Sequence, residues 1–360
     1  MKKVTVCAFV LCAALAFAQS RPQTVNGEVA ERPSSGSLAA AIRDLARGGQ
    51  ASWVGYSVPV VDGEHHMCCF DKGSGFHGNP RCCGGCRLEG GNSGHFVGDR
   101  VDDCAKPNSG DFFVLARLAR GEVEKIRATS ADCGLDLGGR RLYWLGAVNP
   151  AESIAWLSGF AQGYAGEEHA AGRRADEALT AIAFHKDASA DAILERFAGP
   201  ERPRPLRVQA SFWLASLRGR RGFDVVRRLF RDDSDPKFRE EAVFALSEGT
   251  VPEVERELLD IARHDRDRDV RGEALMWLAE KAGSRAAGPL TDVIENDPDT
   301  EMKKKAVFAL SEMENDQGVP LLIQVAKTNR NPVVRKEALF WLGQSNDSRA
   351  LDYIESLLKR

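Results

Sequence analysis

The feature that most constrains this chain is a 32-residue repeat that runs from about Arg173 to its end. Alanine recurs at this interval, and an aliphatic residue follows each alanine by four positions: Ala178, Ala210, Ala242, Ala274, Ala306 and Ala338, with Ile182, Leu214, Leu246, Leu278, Leu310 and Leu342. A second apolar series keeps the same period: Leu194, Val226, Leu258, Leu290, Leu322 and Ile354. Each unit has room for two short helices that are unstable alone. Stacking would cover their apolar faces, which predicts an α-solenoid of about six units over residues 173–360.

Polar residues recur between the predicted helices in the same register. An acid or asparagine stands four positions before a cation in successive units: Asp235, Asp267, Asp299 and Asn331, before Arg239, Arg271, Lys303 and Arg335. These are good helix-capping residues, and acids suit the positive end of a helix dipole. We expect each acid to face cations of neighbouring units and so to fix the stacking angle.

Large and small residues alternate one position before the repeated leucine. The series is Trp213, Ala245, Trp277, Ala309 and Trp341, which allows a double repeat of 64 residues. The favoured interpretation places these tryptophans in the core, where large and small side chains interdigitate. The alternative is an aromatic ladder that binds a ligand.

The region before the repeats has a different pattern. Residues 19–37 are rich in Ser, Pro and Gly, which predicts a flexible lead-in, and residues 38–149 form a mainly β, cysteine-rich module. Within this module we predict a helix, a strand, a hairpin with Gly121 in its turn, and a last strand, at residues 38–46, 51–61, 112–119 with 123–129, and 141–145. Residues 150–172 are predicted to be a helix that caps the repeats.

The first residues are typical of an export signal. Lys2 and Lys3 precede an apolar run, and Ala16-Phe17-Ala18 fits a cleavage site, so residues 1–18 are predicted to be a signal peptide. We therefore expect a periplasmic or extracellular protein with no membrane span after signal removal.

Seven cysteines remain after residue 18, all before the repeats: Cys68, Cys69, Cys82, Cys83, Cys86, Cys104 and Cys133. Export favours structural disulfides, with Cys104 and Cys133 one plausible pair, although an odd number leaves a thiol over. The alternatives are thiol redox chemistry at Cys83-Gly-Gly-Cys86 and a metal site, for which the candidate ligands are His65, His66, Cys83 and Cys86.

The repeats resemble the HEAT-repeat family, in particular the bacterial group that is similar to phycobilisome lyases. The likeness rests on the pattern P-x-x-R-x-x-A-x-x-A-L, with its copies, at Pro236, Arg239, Ala242, Ala245 and Leu246. It implies a scaffold that binds another protein along a concave face. Some relatives are chromophore lyases, and others are di-iron hydroxylases that bind iron through His-Glu dyads. This sequence contains no His-Glu dipeptide, which argues against hydroxylase activity.

The sequence as a whole favours a non-enzymatic, exported scaffold or adaptor without a cofactor. Its partner would be a protein or peptide rather than a nucleic acid, because the net charge is −3 and no basic stripe is present. Residues that face outward on the second helices of the units are the candidate contacts: Arg228, Asp260, Asp292 and Gln324. A metal-binding or redox protein and a lyase-like cofactor handler remain alternatives, and the oligomeric state stays open. Three isolated histidines are expected to face solvent: His169, His185 and His264.

Overall fold

The structure is a computed structural model that describes residues 21–33, 36–63, 85–89, 110–131, 133–166, 169–313 and 317–359. The chain divides into two compact units, Met1–Trp156 and Leu157–Arg360. The predicted signal peptide lies outside the described residues, as do all the cysteines after it except Cys86 and Cys133.

The first unit is built mainly from strands. In chain order its elements are β1 (Thr24–Val25), β2 (Glu28–Glu31), α1 (Leu38–Ala46), β3 (Ser52–Pro59), β4 (Gly85–Arg87), β5 (Asp111–Ala119), β6 (Glu122–Ser130), β7 (Gly134–Asp136), β8 (Arg141–Ala147) and α2 (Pro150–Ala161). The boundary between the two units falls within α2.

A mixed five-stranded sheet has the order β2-β8-β3-β5-β6, in which β2, β8 and β3 are parallel and β5 pairs antiparallel with both β3 and β6. The predicted helix at 38–46 and the predicted hairpin are confirmed. The hairpin turns at Arg120 and Gly121, whose φ angles of 55° and 82° are those of the tight turn that matches strand twist.

The two faces of this sheet are covered differently. On one face Trp53, Phe113 and Trp144 pack with residues in or next to β4 and β7, including the fully buried Cys86 of β4 and Cys133 just before β7. On the other face the Tyr56 hydroxyl and Ser153 Oγ of α2 share a hydrogen bond of 2.9 Å. The strands therefore form the middle layer of the unit.

The prediction of a flexible lead-in at residues 19–37 was wrong for part of this segment. β2 pairs with β8, more than a hundred residues later, and β1 pairs with β7. Their short, polar sequences lack a strand pattern of their own, so the pairing partners decide their conformation.

Helices make up the second unit. Odd-numbered helices carry the repeated alanines: α3 (Ala170–Phe184), α5 (Arg204–Leu217), α7 (Pro236–Ser247), α9 (Arg268–Ala282), α11 (Thr300–Ser311) and α13 (Pro332–Gln344). Even-numbered helices alternate with them: α4 (Ala188–Ala198), α6 (Gly219–Asp232), α8 (Val254–His264), α10 (Ala287–Asn296), α12 (Val319–Thr328) and α14 (Ser348–Leu358). Consecutive odd-numbered helices pack against each other, which gives a solenoid-like stack.

The repeated positions have matching environments. All six repeated alanines are 0% exposed, and the aliphatic residues four positions after them are at most 3% exposed. In the second series, residues from Leu194 to Leu322 are also buried, whereas Ile354 of α14 is only half-buried. Each fully buried aliphatic side chain stabilises the fold by about 1.5–3 kcal/mol, so stability is distributed along the stack. Among the described residues, no helix is both long and apolar enough to cross a bilayer.

Candidate interaction surface of the repeats

The four residues predicted to contact a partner lie on four successive even-numbered helices, α6, α8, α10 and α12. The side chains of Arg228, Asp260 and Asp292 are 56%, 53% and 54% exposed, and Gln324 is exposed as well. We call Arg228, Asp260, Asp292 and Gln324 the even-helix strip.

Ion pairs connect the strip from one helix to the next. Arg228 of α6 reaches Glu195 of α4 at 2.6 Å. Arg231 of α6 lies 3.7 Å from Asp260 of α8, and Arg263 of α8 lies 3.7 Å from Asp292 of α10. Each charge of the strip thus has an opposite charge on a neighbouring helix, so the strip together with these partners presents a polar, nearly neutral surface. Such a surface suits a protein or peptide better than a polyanion.

The predicted capping residues do begin the odd-numbered helices. Their side chains accept hydrogen bonds from backbone N–H groups in the first turn, as in Asp235 with Lys237 N and Asn331 with Val333 N. Some caps also face a cation of the preceding unit, as Asp299 faces Arg268 at 3.6 Å. This part of the predicted polar ladder agrees with the structure.

A second polar row, two positions before each cap, was missed in the sequence: Asp233, Asp265, Asp297 and Asn329. Each accepts a hydrogen bond from the backbone N–H of the cap residue. The pattern D-x-D or N-x-N recurs every 32 residues, and this regularity could have identified the row from the sequence.

Residues of this second polar row make buried ion pairs between neighbouring repeats. The Arg239 guanidinium donates to both carboxylate oxygens of Asp265 at 3.0 and 3.1 Å, and their side chains are only 3% and 8% exposed. Arg207 donates through Nη2 to Asp233 Oδ2, and its guanidinium lies over the Phe238 ring at 3.8 Å. At these two junctions a cation of one repeat meets the buried acid that lies two positions before the cap of the next repeat.

The repeated tryptophans form part of an aromatic row on the odd-numbered helices. Trp213 is 2% exposed, as the core interpretation requires, whereas Trp277 and Trp341 are half-buried. Trp277 lies 4.8 Å from Phe244, and Trp341 lies 4.8 Å from Phe308, between ring centroids.

Each half-buried tryptophan also has a carboxylate partner. Trp277 Nε1 donates to Glu273 at 2.7 Å, and Trp341 Nε1 donates to Glu337 at 3.0 Å. Burial raises the pKa of Glu273 despite this hydrogen bond. The row therefore acts mainly in packing between units, with part of its surface facing solvent.

Solvent exposure of the three isolated histidines was predicted correctly for two of them. His169 and His264 are exposed, but His185 is fully buried at the end of α3. Burial lowers the pKa of His185 to about 4, and its Nδ1 lies 2.7 Å from the Ala181 carbonyl oxygen. Arg218 also donates to the carbonyl oxygens of Ala183 and His185, so this cluster closes a helix end.

In the first unit the main polar cluster surrounds Glu89. Glu89 accepts hydrogen bonds from Trp53 Nε1 at 2.8 Å and from Arg117 Nε and Nη2 at 2.9 and 3.0 Å. Burial alone would raise the pKa of Glu89, but the hydrogen bonds from Arg117 and Trp53 outweigh it and lower the pKa. Arg117 also pairs with Glu124. These contacts tie the end of β4 to the sheet.

Of the four candidate metal ligands, only Cys86 belongs to the described residues, and it is buried in the core beside β7. His65, His66 and Cys83 lie outside those residues. Within the described part of the chain, no group of three or more His, Cys, Asp or Glu side chains could hold a metal ion. The disulfide and metal hypotheses stay predictions.

Comparison with known proteins identifies a family for part of the chain. The family model described as HEAT repeats matches residues 254–336 and 287–360. This segment carries HEAT repeats, which agrees with the resemblance drawn from the sequence. No curated protein matches the chain.

Three solved structures are similar at low identity. The Escherichia coli protein YibA is 22% identical, with a TM-score of 0.32, and the match covers 45% of this chain and 62% of that one. Human deoxyhypusine hydroxylase with glycerol is 15% identical, with a TM-score of 0.31 and coverage of 59% and 80%. The complex of CpcE and CpcF of phycocyanin lyase from Nostoc is 17% identical, with a TM-score of 0.29 and coverage of 59% and 88%. At these scores none of the three supports a function for this chain.

Proposed function

Because residues 254–360 carry HEAT repeats, we propose that this protein is a non-enzymatic scaffold built from two-helix units. It binds a protein or peptide partner across the even-helix strip. Repeat stacks offer extended surfaces that commonly serve protein interactions. The strip would make several polar contacts with an extended or helical segment that crosses α6 to α12.

One observation carries this proposal: Arg228, Asp260, Asp292 and Gln324 are exposed at matching positions on successive even-numbered helices. Partner side chains could compete for the ion pairs Arg231–Asp260 and Arg263–Asp292, because exposed pairs contribute only about 0–1 kcal/mol to stability. Exchange of such weak pairs for contacts with a partner costs the fold little and gives specificity through charge pattern.

The test is affinity capture from the envelope fraction of the source cells with the full chain and with the double variant Asp260→Arg, Asp292→Arg. We expect the variant to lose the partners that the unaltered chain retains, because two acids of the strip become cations. Capture of the same partners in the same amounts would reject the strip as the binding surface.

A matched control reverses two acids of similar exposure on odd-numbered helices, Asp269 and Glu301, which are 50% and 53% exposed. The variant Asp269→Arg, Glu301→Arg has the same net charge as the strip variant. It should retain the partners, so that a loss seen with both variants would indicate a general charge effect.

We also propose that the protein is exported and that its N-terminal cysteines are structural. Support comes from the signal-like residues 1–18 and from the burial of Cys86 and Cys133 in an apolar core. Cleavage after Ala18, measured by mass spectrometry of the native protein, together with thiol counting and metal analysis, tests both points. Stoichiometric zinc or copper would favour the metal-binding alternative.

A further inference from the structure

The last two helices carry an apolar patch that earlier units do not have. Six large apolar side chains are exposed among the described residues, and all except Val25 belong to α13 or α14: Val333, Phe340, Leu351, Leu357 and Leu358, between 37% and 83% exposed. We call these five residues the end face. An exposed cluster of large apolar side chains marks an interaction site.

Residues 32 positions earlier show how such a face is normally covered. Val319, Val325 and Ala326 correspond to Leu351, Leu357 and Leu358, and they are 4%, 4% and 8% exposed. Helices α13 and α14 pack against α12 and cover them. Leu351, Leu357 and Leu358 thus continue the interface found inside the stack, and a pair of helices is the shape that fits it.

Two charged residues that lie beside the end face, Lys336 on α13 and Glu355 on α14, have opposite signs. On α13, exposed Lys336 lies between Val333 and Phe340, three residues after one and four before the other. On α14, Glu355 lies between Leu351 and Leu358 in the same manner. Residues three or four apart share one side of a helix. Each helix therefore presents apolar residues around one charge, with opposite signs on the two helices.

We propose that two copies of this chain pair through their end faces about a two-fold axis. In this arrangement α13 of one copy packs against α14 of the other, and Lys336 faces Glu355 of the second copy twice. A two-fold contact uses the same patch on both subunits, as the matched charges require. Glu355 lies 3.2 Å from Lys359 in the single chain, and both side chains are more than half exposed, so this weak surface pair can be exchanged.

Sedimentation equilibrium of the full chain over a range of concentrations tests the proposal. We expect the full chain to form a dimer. The double variant Leu351→Asp, Leu358→Asp should raise the dissociation constant of this dimer at least about tenfold, because each change places a carboxylate in the contact. A parent chain that is monomeric throughout, or that forms open-ended larger assemblies, would overturn it. Non-reducing gels identify any dimer that depends on a disulfide, and such a dimer would also count against the end face.

A charge exchange makes the test specific for this geometry. Lys336→Glu and Glu355→Lys should each weaken the dimer, and the double variant should restore it, because the opposed charges are then exchanged rather than lost. Failure of the double variant to recover would reject the two-fold pairing. Val25→Asp is the control, since Val25 is 56% exposed but lies outside the end face; it should leave the dimer unchanged. Far-UV circular dichroism verifies that each variant is folded.

Discussion

The two units of the molecule obtain their stability in opposite ways. In the repeat unit the same contacts recur, so that Ala210, Ala242 and Ala274 all have equivalent buried environments. In the sheet unit each contact occurs once, and strands that pair can be more than a hundred residues apart, as β2 and β8 are. Repeat stability is approximately a sum of similar local terms, whereas the sheet unit depends on the closure of long loops.

This difference teaches where a single substitution should be most damaging. Loss of one repeat contact leaves equivalent contacts elsewhere in the stack. In the sheet unit, the loss of one core contact is not compensated elsewhere, because each contact occurs once and joins elements from distant parts of the sequence. The following predictions test this contrast.

Phe113→Ala should have the largest effect and should unfold the sheet unit preferentially. The Phe113 ring is 0% exposed and lies 4.9 Å from the Trp144 ring, edge to face. Truncation of a buried phenylalanine costs about 3–5 kcal/mol. Hydrogen exchange followed by mass spectrometry should show lost protection in β3, β5 and β8 and retained protection in α5 to α11. Equal loss in both regions would contradict the prediction that the sheet unit unfolds preferentially.

Leu322→Ala and Ile354→Ala compare the same repeat position inside the stack and at its last helix. Leu322 is 1% exposed, and its removal should cost about 2–5 kcal/mol. Ile354 is half-buried, so the same truncation should cost less. Urea unfolding gives both values from the midpoint at constant slope. Similar losses of unfolding free energy at the two positions would mean that another surface covers α14 in solution. If that surface is the end face of a second copy, the losses should be similar only at high protein concentration.

Glu89→Gln and Glu273→Gln should differ in their pH dependence. The folded-state pKa of Glu89 is lowered, so its stabilisation is present above the ordinary glutamate pKa of about 4.3 and is lost as pH falls below it. We expect Glu89→Gln to cost about 1.5 kcal/mol at neutral pH, because the charge-assisted hydrogen bonds from Arg117 weaken.

For Glu273 the sign reverses, because its folded-state pKa is raised. Its relative stabilisation is complete below the ordinary glutamate pKa and is lost as pH rises through the folded value. Glu273→Gln should therefore not destabilise the protein at neutral pH, since glutamine can still accept from Trp277. Thermal unfolding between about pH 3 and pH 7 separates the two cases, and a parallel response of both variants would refute this assignment.

Asp267→Ala should cost only about 1 kcal/mol, because it removes one helix cap among several equivalent ones. Asp267 accepts from Asp269 N at 2.8 Å and from Val270 N at 3.3 Å. If urea unfolding shows a much greater loss of unfolding free energy, Asp267 also stabilises the contact between neighbouring repeats. Asp299→Ala, at the equivalent cap of α11, should give the same value.

Much of the repeat unit could be predicted from the sequence, since the period places Ala242 and Leu246 in the core without knowledge of their neighbours. The missed acids Asp233 and Asp265 share that period, but their role depends on Arg207 and Arg239 of the preceding unit. The burial of His185 could not be predicted, because it results from α3 ending beside Arg218.

Some elements could be predicted before their neighbours were known, because their conformation and burial follow from the local residue pattern. Helix α1, the hairpin with Gly121 and the stacked helices are of this kind, because neighbours along the chain impose their periodicity. The folded chain alone sets three other features: the pairing of β2 with β8, the hydrogen bonds from Trp53 and Arg117 to Glu89, and the exposure of Leu351 and Leu358. These features depend on which distant segments meet and on which surfaces the fold leaves exposed, and hydrophobic periodicity carries no information about either.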